Sequence, residues 1–494
     1  MAGISRRNIL RGGVVAATAL VTSRLAGTSQ ARAAEAPLAV AYNDAVITPT
    51  APPYPSLWMG GYGWGPRGNH GAVARDLHAH CIVFHDNGTP NVLLRLDVVS
   101  IPRDVHEAIR SRVVEEGLVA SEDFMIVTSH THSGPVVGDT HPDPVLLMGV
   151  NQADVDAING TTWLLMDALV DLVRQTVQEV PIPATLWYDE GYERIGYNRA
   201  GLPHVLTDVP VLLARHADDG YPLVVLFGYA CHPVARGNDE VFDSDYCGYA
   251  AERIEERLGV MALFFQGCAG DQNPGEDENT PLSPALVVER GEMIADTVVE
   301  VVERDRFTEV TGPFQNALTE VELRFSRDLT DPDEVAALAD RYRDRLSEPG
   351  LQAWNRRHAE LVLRQIDAGT LPTSIPMPIQ RWRLGGLTIL GLGHEVLSTY
   401  HVLLKEQAAE LGLDNLWIMA YANETQGYVA ADDALWNGGY EAMWSGTDDI
   451  AGLSTSAISY GWPLPLKASP PDTYPAAPDS TQAIVMAACT ALLR

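Results

Sequence analysis

The sequence predicts an α/β protein: one large domain with a central β-sheet flanked by helices. Three observations carry this expectation. Apolar runs of strand length alternate three times with helix-spaced stretches, residues able to do chemistry cluster just after those runs, and no Pro/Ser-rich linker divides the chain. The first unit starts at Val92-Leu93-Leu94-Arg95-Leu96-Asp97-Val98-Val99 and passes a helix carrying Val105, Ile109, Val113 and Leu118. It then reaches Phe124-Met125-Ile126-Val127, which opens into Thr128-Ser129-His130-Thr131-His132-Ser133-Gly134-Pro135. The second starts at Leu223-Val224-Val225-Leu226-Phe227, opens into Tyr229-Ala230-Cys231-His232-Pro233, and passes a helix marked by Ala250, Ile254 and Leu258. Ala262-Leu263-Phe264-Phe265 and the loop Gln266 to Pro274 follow. The third runs from Leu387-Thr388-Ile389-Leu390 through Gly393-His394-Glu395 and a helix with Val396, Tyr400, Leu404 and Leu411. It ends in Leu416-Trp417-Ile418-Met419 and the segment Tyr421 to Tyr428. Elsewhere Ala153 to Val180 and Pro284 to Asp305 read as long amphipathic helices, Asp331 to Ala368 as one or two more, and Thr481 to Leu493 as a final helix.

The 494 residues are 46% apolar and 20% charged, enough apolar material for a buried core. With 34 basic against 65 acidic residues the net charge is −31, so the surface repels phosphate backbones and anionic headgroups, and nucleic-acid binding is not expected. Arg24 interrupts the apolar N-terminal stretch, so no run reaches the roughly 20 apolar residues of a spanning helix and no transmembrane anchor is expected. Ser5-Arg6-Arg7-Asn8-Ile9-Leu10-Arg11, the apolar run Val14 to Leu25 and Ala31-Arg32-Ala33 follow the order of a twin-arginine export signal with its cleavage site. Residues 1–33 are expected to be removed, leaving residues 34–494 as a secreted, periplasmic or cell-envelope domain. Five cysteines, odd in number and without a C-x-x-C pair, read as buried small hydrophobes, with a bridge from Cys247 to Cys268 or Cys231 left open.

In open α/β sheets, ligands gather beyond the carboxyl ends of the strands. Histidine, carboxylate and phenol donors brought there from distant segments suit a catalytic zinc that keeps one position open for water. Taken alone, the His130/His132 pair and His232 are more often satisfied core histidines, and Tyr428 a packed aromatic. Glu395 is harder to set aside, because a buried carboxylate costs several kcal/mol unless it is paired or metal-bound. The Gln266 to Pro274 loop lacks the lysine of a phosphate cradle. Trp58 to Gly65 mixes glycines with aromatics and fits a lid or a tight packed turn equally well.

Together, Thr128 to Pro135, Tyr229 to Pro233, Gln266 to Pro274, Gly393-His394-Glu395-Val396 and Gly427-Tyr428-Val429 resemble the neutral/alkaline (non-lysosomal) ceramidase family. The resemblance is collinear from Ile47-Thr48-Pro49 to Gly439-Tyr440-Glu441. It implies an α/β zinc hydrolase that cleaves an amide bond by attack of zinc-bound water, with an N-acyl lipid as the first substrate to consider. It implies zinc ligands at His130, His232, Glu395 and Tyr428, proton transfer by His132, polarisation of the scissile carbonyl by Arg199, and a hydrogen bond from Tyr440. The chain departs from the family at Gly267, where ceramidases carry serine, and at His394, where glycine precedes the glutamate. The C-terminal immunoglobulin-like domain of the full-length enzymes is not expected in this chain. Gly267, Asp271 and His394 are therefore candidates for a substrate loop. An ester, lactone or glycan substrate, or an inactive binding protein, remains open at this stage.

Overall fold

All three strand-helix-strand units form, each as a pair of parallel neighbours. The computed structural model describes residues 38–49, 57–62, 66–139, 144–444, 452–470 and 476–494; the signal-like residues 1–33 and residues 63–65 lie outside the described residues. The chain opens with β1 (Leu38–Val46), β2 (His78–Asp86) and β3 (Thr89–Leu96), then α1 (Arg103–Glu115) and β4 (Phe124–Thr128). After α2 (Gln152–Gln178) come β5 (Ile182–Tyr192), β6 (Asp208–His216), β7 (Pro222–Tyr229), α3 (Asp245–Leu258) and β8 (Met261–Gln266). Then follow α4 (Pro284–Arg304), β9 (Gln315–Arg324), α5 (Pro332–Leu346), α6 (Ala353–Ala368) and β10 (Ser374–Leu384). The last are β11 (Leu387–Leu392), α7 (Ser398–Leu411), β12 (Asn415–Met419) and α8 (Thr481–Leu493).

Local chemistry sets these boundaries. The Ser283 hydroxyl accepts the Leu286 N–H at the start of α4, with Pro284 in the first turn, where its missing N–H costs nothing. α3 and α7 both stop at a left-handed glycine, Gly259 and Gly412.

The large sheet runs in the order β8-β7-β6-β5-β1-β2-β3-β4, with Thr308–Val310 added beside β5. Only its ends are parallel, β7 with β8 and β3 with β4. The small sheet runs β9-β10-β11-β12 and is parallel only between β11 and β12. The two sheets pack face to face through Phe84, Leu226 and Leu263 of the large sheet against Trp382, Ile389 and Trp417 of the small one. α1 and α2 cover one half of the large sheet's outer face, and α3 and α4 the other half. α5 to α8 cover the small sheet. All five cysteines are buried and unpaired, which settles against the bridge from Cys247. No helix among the described residues is long and apolar enough to cross a membrane.

This layering brings the carboxyl ends of all three parallel pairs to one place. The Thr128 N–H donates to Tyr421 O at 3.3 Å and the Ala420 N–H to Gln266 O at 2.9 Å, joining the exits of β4, β8 and β12. Buried Gln266 donates from Nε2 to Cys231 O at 2.8 Å and Ser129 O at 3.3 Å, tying in the exit of β7. Replacing Gln266 with Leu keeps the bulk but leaves these buried carbonyls short of a donor. We expect Gln266→Leu to lose about 1–3 kcal/mol in urea unfolding. An unchanged midpoint would show that Gln266 does not join the strand exits.

Candidate metal centre

Four residues at these exits have backbone conformations that side-chain-bearing residues rarely adopt: His130 (φ 65°), His394 (φ 72°), Tyr421 (φ 55°) and Asn423 (φ 67°). Each costs on the order of 1–3 kcal/mol and persists only where its surroundings demand it. At His130 the left-handed turn lets the backbone N–H donate to Val98 O at 3.1 Å while Nδ1 meets Val99 O at 2.6 Å. His232 is anchored alike, its Nδ1 lying 2.6 Å from Ala269 O. A carbonyl only accepts, so both Nδ1 atoms carry the proton and both Nε2 lone pairs face inward.

Between those lone pairs lies Glu395. Its Oε2 is 3.1 Å from His130 Nε2 and 3.2 Å from His232 Nε2, and all three side chains are buried. In these tautomers no proton lies between the rings and the carboxylate. His232 Nε2 and Glu395 Oε2 accordingly have no hydrogen-bond partner among the described residues. Three buried electron-pair donors facing one point fit a cation there, and imidazole plus carboxylate is a donor set that zinc takes. His132 joins the group, with Nε2 3.1 Å from His130 Nε2, but its Nδ1 has no partner. The nitrogens of His130, His132 and His232 lie within 4.8 Å of one another and can hold a metal ion.

The electrostatics agree. Burial, helped by Arg199, pushes His232 down to about 4, and burial with the two neighbouring rings also lowers His132.

Tyr428 lies beside this group, its ring 6.5 Å from that of His232, and its hydroxyl takes an N–H of Arg199 Nη2 at 3.0 Å. The same guanidinium donates to Glu441 Oε1 at 2.7 Å, Asn273 Oδ1 at 3.0 Å and Gly270 O at 2.9 Å, which leaves one N–H on Nη1. The Tyr460 hydroxyl donates to Glu395 Oε1. Tyr440, 41% exposed, stands at the mouth 5.6 Å from the Tyr428 ring. An inner space of about 20 Å³ touches His130, His132, Glu395 and Tyr428. An outer cavity of about 420 Å³ is lined by Tyr62, His132, Arg199, Asn273 and Tyr440. In the described part of Trp58 to Gly65 the backbone lies close against the site: a Cβ on Gly61 would lie 2.5 Å from His132 Nδ1.

The three substrate-loop candidates line neither space and stand behind the site instead. Gly267 packs on Ala230 and borders a separate cavity with Glu190 and Lys405. Asp271 is buried and accepts from Ser398 N–H at 2.9 Å, Ser398 Oγ at 2.6 Å and Asn198 Nδ2 at 2.6 Å. His394 accepts the Gln426 N–H on Nδ1 at 3.1 Å, so its Nε2–H donates to Pro376 O at 2.8 Å. Sequence reasoning did not single out Tyr460, Glu441 or Asn273 as site residues. The unpaired charge of Arg199 could have pointed to Glu441; no motif pointed to Tyr460.

Fold and site together define an α/β domain with a candidate metal centre where three strand-helix-strand units meet. In fold the chain is similar to neutral ceramidase from Pseudomonas aeruginosa, with a TM-score of 0.63 and 18% identity over 88% of this chain and 76% of that one. It is likewise similar to a ceramidase complexed with C2, with a TM-score of 0.62 and 19% identity over 88% and 77% of the two chains. The resemblance read from the sequence thus holds at the level of the fold. No protein-family model and no curated protein matches the chain.

The lowered His232 has a consequence for stability. Its folded pKa of about 4 lies below the usual 6.5, so between those values the unfolded chain binds the extra proton. The stabilisation is complete above pH 6.5 and is lost as pH falls toward 4. Urea unfolding of the metal-free protein should therefore show a loss of about 2 kcal/mol from His232 alone between pH 7 and pH 5. Equal stability at the two values would mean that His232 takes up its proton in the fold as it does in the unfolded chain.

Proposed function

We propose that the chain is an exported zinc-dependent hydrolase that cleaves an amide bond, with a neutral N-acyl lipid as its substrate class. One observation carries the reading: two carbonyl-anchored imidazoles and Glu395 Oε2 converge within 3.2 Å without a proton to share. His130, His232, Glu395 and Tyr428 would hold the metal. Zinc bound there would polarise a carbonyl oxygen and lower the pKa of its water toward about 7. The inner space of about 20 Å³ has room for one water-sized group.

The remaining groups divide the other tasks. His132 has no carbonyl fixing either ring nitrogen and borders both cavities, a position suited to carrying a proton to the leaving nitrogen. Arg199 orients Tyr428 and keeps one N–H for the substrate carbonyl, while Tyr440 at the mouth offers a hydroxyl to the rest of the substrate. The fold shared with ceramidases supports a lipid-like substrate. So does an apolar cavity of about 210 Å³ lined by Ile47, Val98, Val136 and Leu165 beside the His130/His132 loop. The charge of −31 favours uncharged over anionic amphiphiles. Export is supported by the twin-arginine segment Ser5 to Arg11.

The test is metal content and N-acyl-lipid hydrolysis by two variants. His232→Ala should lose the zinc, whereas His132→Ala should keep about one zinc per chain and lose about 100-fold or more in turnover. Equal metal loss in both would contradict this division of roles.

A further inference from the structure

We propose that Tyr460 is a positioning residue that restricts Glu395 to a single oxygen at the metal centre. The proposal rests on the metal reading above and adds a residue to it. A carboxylate has two oxygens, and here they face different groups: Oε2 meets His130 and His232, while Oε1 takes the Tyr460 hydroxyl. An ionised carboxylate only accepts, so the phenol is the donor. Without that bond the carboxyl group is free to turn about its terminal torsion, which has broad minima, and bring both oxygens to a cation. The second oxygen would then add to the metal's coordination shell and crowd the position that a hydrolytic zinc must leave open. Tyr460 keeps that oxygen turned away.

Tyr460 is itself held from behind. It is the last residue of a short helix, Thr455–Tyr460, which Gly461 stops in the left-handed conformation. Its ring lies edge-on to Tyr428, with centroids 6.1 Å apart at 87°, and beside Trp462 at 6.4 Å. The carbonyls just beyond are pinned by two buried side chains of the outer helices. His358 of α6 reaches Trp462 O at 2.9 Å, and the Tyr342 hydroxyl of α5 reaches Pro463 O at 2.8 Å. A path of hydrogen bonds and packing thus runs from α5 and α6 through residues 460–463 to the carboxylate.

The experiment compares wild type and Tyr460→Phe as full-length zinc-loaded proteins. X-ray absorption at the zinc edge reads the number of coordinating oxygens, and steady-state kinetics reads kcat and KM on an N-acyl lipid. The variant should keep its zinc, gain one coordinating oxygen, and lose about 10- to 100-fold in kcat with KM little changed. A residue that merely packs would leave the coordination number alone. Identical coordination and kcat would overturn the role of Tyr460 while leaving the metal reading intact. Absence of zinc from both proteins would overturn both. If the variant does not fold, the wild type still decides: two Glu395 oxygens on its zinc would overturn the proposal.

Discussion

A carboxylate only 2% exposed, at the junction of two β-sheets, must have its charge balanced by something nearby. Two buried glutamates meet that requirement differently. Glu424 has a cation, Arg103 Nη1 at 3.0 Å, together with His106 at 3.2 Å and Gln426 at 2.7 Å. Glu395 has no lysine or arginine in ion-pair range among the described residues, only two imidazoles whose protons point elsewhere and one tyrosine. A satisfied core needs no further partner. Glu395 Oε2 does, and a metal cation would supply it.

The mixed sheets explain how such a site is assembled. Each parallel pair needs a helical crossover and therefore releases its loops on the same side, and three such pairs converge here. The antiparallel strands between them act as spacers that set the distance between the exits. The buried Arg95–Asp97 pair, 2.6 Å apart, stiffens this arrangement: Arg95 reaches Phe264 O at 3.2 Å and Asp97 takes the Ser129 hydroxyl at 3.0 Å. A rigid frame of this kind can hold His130, His394, Tyr421 and Asn423 in conformations that a mobile loop would relax.

Much of the frame was legible in the sequence because parallel strands buried on both faces read as continuous apolar runs. Leu223 to Phe227 and Ala262 to Phe265 were found for that reason. The antiparallel strands carry a weaker signal. β9, Gln315–Arg324, alternates partly exposed and polar residues and passes for a solvated segment. The histidines and Glu395 stood out because polar groups just after apolar runs are costly without a purpose. The places of Gly267, Asp271 and His394 were not legible, since only tertiary structure shows that Ser398, Asn198 and Pro376 occupy their polar atoms or surroundings. Tyr460 was invisible for a related reason: its helix is short, follows no strand, and meets Glu395 across 65 residues of chain.

A cation at the point faced by His130 Nε2, His232 Nε2 and Glu395 Oε2 would give the buried carboxylate its missing partner. Anomalous diffraction from crystals of the zinc-soaked protein, collected on either side of the zinc absorption edge, tests it most directly. One strong peak is expected in bonding range of those three atoms, with the Tyr428 hydroxyl as fourth ligand and His132 outside it. A peak centred on His132, or a water-filled site with no anomalous signal, would contradict it.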